Sequence, residues 1–159
     1  PSLSRGEIKA ANFEEKAIAR LLTELAKEDI SIFATIVDQS VIVKPPAEME
    51  DIYRRAVSKT VYKLVEQYPR VNICLDRRYT NERHRFELES KIRESIQNLP
   101  QKVVMIQQEN SISRKELQAV DAVAWAFFQK YERDNASFYE LISSRVIAEE
   151  IIQERDWTK

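Results

Sequence analysis

Apolar residues recur at helical spacing between residues 13 and 27, where Ala17, Ile18, Leu21, Leu22 and Leu25 share one side, so a helix is expected there. The next stretch, ISIFATIV (30–37), is rich in β-branched residues and too short for a typical helix, which predicts a buried strand. SVIV (40–43) could continue it beyond a turn at Asp38-Gln39, and Pro45-Pro46 then impose a loop. Residues 49–68 carry Ile52, Ala56, Val57, Val61, Leu64 and Val65 on one side, a second amphipathic helix that Pro69 ends. VNICLD (71–76) reads as a short buried strand, residues 80–99 as a third helix and KVVMIQ (102–107) as another strand. Residues 114–133 form the fourth long helix and 137–144 a short one, while 145–154 fit helix and strand equally.

Strand and helix alternate along this order, which predicts one α/β domain over residues 1–159, with a mostly parallel central sheet flanked by helices. The sheet is expected to contain 30–37, 71–76 and 102–107, the last two as neighbours. Ligands of such sheets sit at the carboxyl ends of the strands. Asp76 occupies that end of its strand and Glu109 lies just past the end of the next.

The helix after residue 113 raises a specific question. Ser113 and Glu116 have the spacing of a capping box. Leu117, Ala124 and Phe128 then form an apolar stripe, and Asp121 falls inside it. A carboxylate there needs a partner, and an arginine, a backbone amide or a metal ion would each serve.

Composition narrows the chemistry. A single glycine in 159 residues leaves no glycine-rich phosphate loop of the dinucleotide or P-loop kind. One histidine and one cysteine exclude a multi-histidine zinc site and a thiolate cage. The lone Cys74 and the lack of a long apolar run or leader pattern favour a cytoplasmic setting without a membrane span. The net charge of -1 means that any nucleic-acid binding must come from a local patch. The first four residues, Pro-Ser-Leu-Ser, fit either removal of an initiator methionine or truncation of a longer protein.

What remains is carboxylate chemistry. Asp76 and Asp121, converging without histidine or cysteine, describe a hard-cation site for Mg2+ or Mn2+, and Glu7 could add a third oxygen. Each also has a plainer role: Asp76 as a turn cap, Asp121 as the partner of Arg77 or Arg114, Glu7 as a surface acid. The run DRRYTNERHR (76–85) sets Arg77, Arg78, Arg83, His84 and Arg85 around Tyr79. It reads as a patch for the nucleic-acid backbone, or as a solvated helix start paired with Glu82, Glu87 and Glu89.

Three stretches carry a resemblance: GEIKAA (6–11), VNICLD (71–76) and NSISRKELQAVDAVAWAFFQKY (110–131). Together they are similar to the prokaryotic and phage family known as domain of unknown function 3800, whose members look like ribonuclease H-type folds. The resemblance implies Glu7, Asp76 and Asp121 as acidic site residues, with Lys9, Ser111 and Gln118 near them. The family opens on a strand carrying Asp-Glu-Ser that nothing before Gly6 matches, and Asn110 stands where the family often has Asp. The ribonuclease H-like domain is thus expected to be incomplete at its N-terminus, or its site degraded.

Two functions follow as expectations. One is a divalent-metal-dependent nuclease or phosphodiesterase, with Glu7, Asp76 and Asp121 as ligands, Lys9 as charge stabiliser and Arg77, Arg78, Arg83 and Arg85 on the phosphate backbone. The other is a non-catalytic module that binds nucleic acid or protein on the same fold.

Overall fold

A computed structural model describes residues 15–100, 103–110 and 114–159, and these form mixed α/β structure. The elements are α1 (Glu15–Lys27), β1 (Ile32–Val37), α2 (Glu50–Gln67), β2 (Arg70–Asp76), α3 (Glu82–Ile96), β3 (Val103–Glu109), α4 (Lys115–Glu132), α5 (Ser137–Ile142) and β4 (Val146–Ile152). The chain divides into two compact units, one containing α1, α4 and α5 and the other α2, α3 and nearly all of the four strands.

In the first unit α1 turns Ile18 and Leu22 inward, four residues apart, and α4 and α5 pack against it and each other. Trp125 meets Phe138 edge to face at 4.5 Å, and Phe127 meets Tyr139 likewise at 5.3 Å. Asp134 at φ 51°, in the left-handed region where Asp is tolerated, stops α4 and lets the chain turn into α5.

The second unit is built on the β2–α3–β3 succession. Pro69 ends α2 before β2, and Asn81 starts α3 by accepting the Arg83 N–H at 2.7 Å. Leu88, Ile92 and Ile96, at steps of four along α3, are fully buried against Val61 and Val65 of α2 and Ile73 of β2. Each such side chain contributes about 1.5–3 kcal/mol by leaving water. β2 and β3 are adjacent and parallel, in the register Ile73↔Ile106 through Asp76↔Glu109. The neighbouring placement expected for 71–76 and 102–107 is therefore found.

The sheet differs from expectation in one respect. Among the described residues the strands make two two-stranded sheets, β1 with β4 and β2 with β3, and β1 does not join the latter pair. Its partner is 146–152, the segment whose pattern fitted helix and strand equally. The Asp38 N–H donates to the Ile152 carbonyl and Lys44 bridges Asp156 in parallel, so the two segments run in the same direction. SVIV does not continue β1 either. The Asp38 side chain accepts the Ser40 N–H at 3.1 Å and folds Gln39–Val41 into a 3-10 turn. Trp157, 1 % exposed, closes this region against Ile52 and Ile152. Among the described residues no helix is long and apolar enough to cross a membrane.

Candidate functional site at the carboxyl edge of the parallel pair

Side chains alternate across a strand. Val71, Ile73 and Leu75, with Val104 and Ile106, pack on the α2–α3 side. Asn72, Cys74 and Asp76, with Met105, Gln107 and Glu109, therefore line the opposite face. On that face Asp76 and Glu109 end their strands abreast, and the Cys74 Sγ lies 3.6 Å from Glu109 Oε2 as a weak donor. The Arg77 N–H donates to the Glu109 carbonyl at 2.7 Å and carries the pairing one residue further. Asp76 and Arg77 are exposed there, one acid and one base next to each other in sequence.

The chain after Arg77 is tied to the start of α2. Glu50 accepts from Arg78 Nε at 3.0 Å and Nη2 at 3.4 Å, a two-point pair, and from the Tyr79 hydroxyl as well. The Arg78 guanidinium lies 4.5 Å from the centre of the Tyr53 ring and 5.9 Å from that of Tyr79. These bonds, led by the one from Arg78, hold the Glu50 carboxyl below its ordinary range. Burial, then the bond to Glu50, pushes the Tyr79 phenol up to about 12. A raised phenol favours the folded state fully below pH 10, the ordinary tyrosine value, and the gain is lost as pH rises toward 12. Melts at pH 9 and pH 11.5 should thus show a smaller alkaline loss in Tyr79→Phe than in the parent protein. Equal losses would place the titration elsewhere.

Behind this contact lies a buried guanidinium. Arg54, 5 % exposed, donates to Glu48 at 3.0 Å, Asp51 at 3.3 Å and Glu87 at 2.8 Å, and lies 3.4 Å from His84 Nδ1. The His84 ring in turn lies over Tyr79, with centroids 5.2 Å apart. The network joins the first turns of α2 and α3 beneath the carboxyl edge.

In the basic run Arg83 and Arg85 follow the paired helix start that was one of its two readings. Arg83 pairs with Glu87 at 3.2 Å and Arg85 with Glu82 at 3.9 Å, both within α3, and Arg78 pairs with Glu50. Arg77 differs in projecting from the carboxyl edge itself. Glu7, Lys9 and Ser111 lie outside the described residues, and the N-cap of α4 is Arg114 without a side-chain cap bond, so the capping box expected at Ser113 is not found.

Asp121 and Gln118 lie on α4, and both are exposed. The stripe assumed for Asp121 is not the buried one. Leu117, Ala122, Trp125, Ala126 and Phe127 face inward, whereas Ala124, like Asp121, is exposed. The reason is the partner: Trp125 and Phe127 pack on the Phe138 and Tyr139 rings of α5, and this rotates the helix away from the Leu117–Phe128 line. Asp76 and Asp121 belong to different units.

Glu109 now takes a full place in the site as the register partner of Asp76. Glu50 and Arg54 were missed by sequence reasoning. Arg54 had a readable signal, because Arg54, Ser58, Val61 and Val65 follow helical spacing on the inward face of α2. Glu50 had none, since its partners Arg78 and Tyr79 are 28 and 29 residues away.

Asp76 and Glu109 are hard oxygen donors suited to Mg2+ or Mn2+. Among the described residues no group of three or more His, Cys, Asp or Glu side chains is gathered as a metal cage. A carboxylate pair still fits Mg2+, which keeps several waters and takes one or two carboxylates together with substrate phosphates. Compared with protein-family models, curated proteins and solved structures, the chain matches none of them.

Proposed function

We propose that the chain is a divalent-cation-dependent phosphodiesterase acting on nucleic acid, with its centre at the carboxyl edge of β2 and β3. The observation that carries this reading is the register of Asp76 with Glu109, two acidic side chains abreast on one sheet face. The position agrees with the general location of ligands in parallel sheets. The β2–α3–β3 succession also supports a ribonuclease H-like arrangement.

Asp76 and Glu109 would hold Mg2+ or Mn2+, and Arg77 would bind a phosphate oxygen next to them. When bound, the ion lowers the pKa of its water and offsets charge on the phosphate. Glu7, Lys9, Ser111, Gln118 and Asp121 keep only the roles that the resemblance implies, and the centre proposed here is built from Asp76, Glu109 and Arg77 alone. Arg83 and Arg85 would act on the nucleic-acid backbone only by exchanging their present carboxylate partners for phosphates.

That exchange is what favours a second reading, a non-catalytic nucleic-acid- or protein-binding module. Three of the four arginines of the basic run already face carboxylates of their own unit.

Calorimetric titration with MgCl2 and MnCl2 tests the proposal. The parent protein is expected to bind, and Asp76→Asn to weaken the affinity by at least about 10-fold, the scale seen when groups supporting a metal site are removed. Asp121→Asn is expected to shift stability by less than about 0.5 kcal/mol, as befits an exposed position. Cleavage of labelled single- and double-stranded DNA and RNA in Mn2+ then separates the readings. Cation binding without cleavage favours the binding module, and a parent protein that binds neither ion removes the metal-dependent one.

A further inference from the structure

Arg78 follows Asp76 by two residues, yet its guanidinium is directed at α2, where Glu50 holds it at two points and Tyr53 supports it with a ring face. Tyr79 donates to the same Glu50 oxygen, so consecutive residues of the β2–α3 connection end on one carboxylate. We propose that Glu50 is a positioning residue: it serves as the counter-ion that keeps Arg78 off Asp76 and leaves Asp76 open to a divalent cation. This rests on the cation-site reading of the carboxyl edge.

Three observations support it. The pairing geometry is two-pointed, so Glu50 fixes both the direction and the charge of the guanidinium. The Arg78 guanidinium lies 4.5 Å from the centre of the Tyr53 ring, a second contact that holds it toward α2. The side chain of Arg78 is about half exposed, with water at hand for a change of partner once its counter-ion is gone. A guanidinium released from Glu50 would find in Asp76 an exposed carboxylate two residues away and would compete there with the cation.

Mn2+ alone is a suitable probe, titrated by electron paramagnetic resonance into the parent protein and into Glu50→Gln, Glu50→Asp, Arg78→Gln and the Glu50→Gln/Arg78→Gln double variant. Glu50→Gln should bind Mn2+ about 10-fold more weakly, as is common when a group outside the ligand shell is lost. Glu50→Asp keeps the negative charge and should recover most of that loss. The double variant should return to within about threefold of the parent, because no guanidinium remains to compete. A loss that was merely structural would persist or deepen in the double variant, and that result would overturn the proposal, as would parental affinity in Glu50→Gln. Arg78→Gln alone should bind at least as tightly as the parent, which tests the idea even if Glu50→Gln fails to fold. A parent protein that takes up no Mn2+ would instead remove the cation site itself, and this role of Glu50 with it.

Discussion

Replacing Trp157 with alanine is expected to lower stability by about 3–5 kcal/mol, the range for truncating a large buried aromatic side chain. The indole is 1 % exposed and packs against Ile52 of α2 and Ile152 of β4, with Val37 and Ile42 at its edge. Further contacts hold the residue, among them an Arg55 Nη2 bond to its carbonyl at 3.0 Å. Its Nε1–H donates to the Glu154 carbonyl at 2.9 Å, its backbone N–H donates to the Lys44 carbonyl at 2.8 Å, and the Arg55 guanidinium lies 5.1 Å from the ring centre. The bonds of its backbone survive the substitution, whereas the packing, the indole bond and the cation–π contact do not. The expected observation in urea is a midpoint shift with little change in slope. Trp157→Phe should recover a large part of the loss, since most of the ring volume returns while the rest of it and the Nε1 bond stay missing. If Trp157→Ala melts with the parent protein, the C-terminal residues do not close the second unit as described.

The second large effect is expected at Arg54. Its side chain is 7 % exposed, while those of Glu48, Asp51 and Glu87 are 55 %, 36 % and 35 % exposed. Arg54→Ala should cost about 3 kcal/mol, the lower end of the range for removing one partner of a buried ion pair, because the stranded carboxylates can still reach water. Part of that cost is packing, since the aliphatic stem of the arginine fills space between α2 and α3. Glu48→Gln is the contrasting case: its acid is mostly solvated, and the cost should stay under about 1 kcal/mol. Chemical denaturation of the two variants orders these effects, and similar losses for both would mean that Arg54 acts as an ordinary surface charge. Arg54→Ala should also loosen the first turn of α3 through Glu87 and His84, so amide exchange near Arg83 and Arg85 should rise with it.

Much of the local structure was legible from spacing. α1, α2, α3 and α4 lie within three residues of the segments whose apolar period marked them, because burying one face of a helix repeats every three or four residues. VNICLD and KVVMIQ were recognisable as neighbouring strands because a helix-length connection between two short apolar runs suits a parallel crossover. From there the positions of Asp76 and Glu109 at one edge followed directly.

Where side chains must choose between several partners, spacing was silent. In α4 the run Trp125-Ala126-Phe127-Phe128 covers most of the helix circumference, so two apolar stripes competed. The rings of α5 selected the one that leaves Asp121 exposed. In RVIAEEIIQE the β-branched residues gave no period, and the pairing with β1 made it a strand. The bonds of Glu50 to Arg78 and Tyr79, and of Arg54 to Glu87, join residues about thirty positions apart. By itself the sequence determined which segments could bury a face and which chemistries its composition excludes. Only the tertiary structure decided which face was buried and which charges met, because both depend on the surface that another element presents.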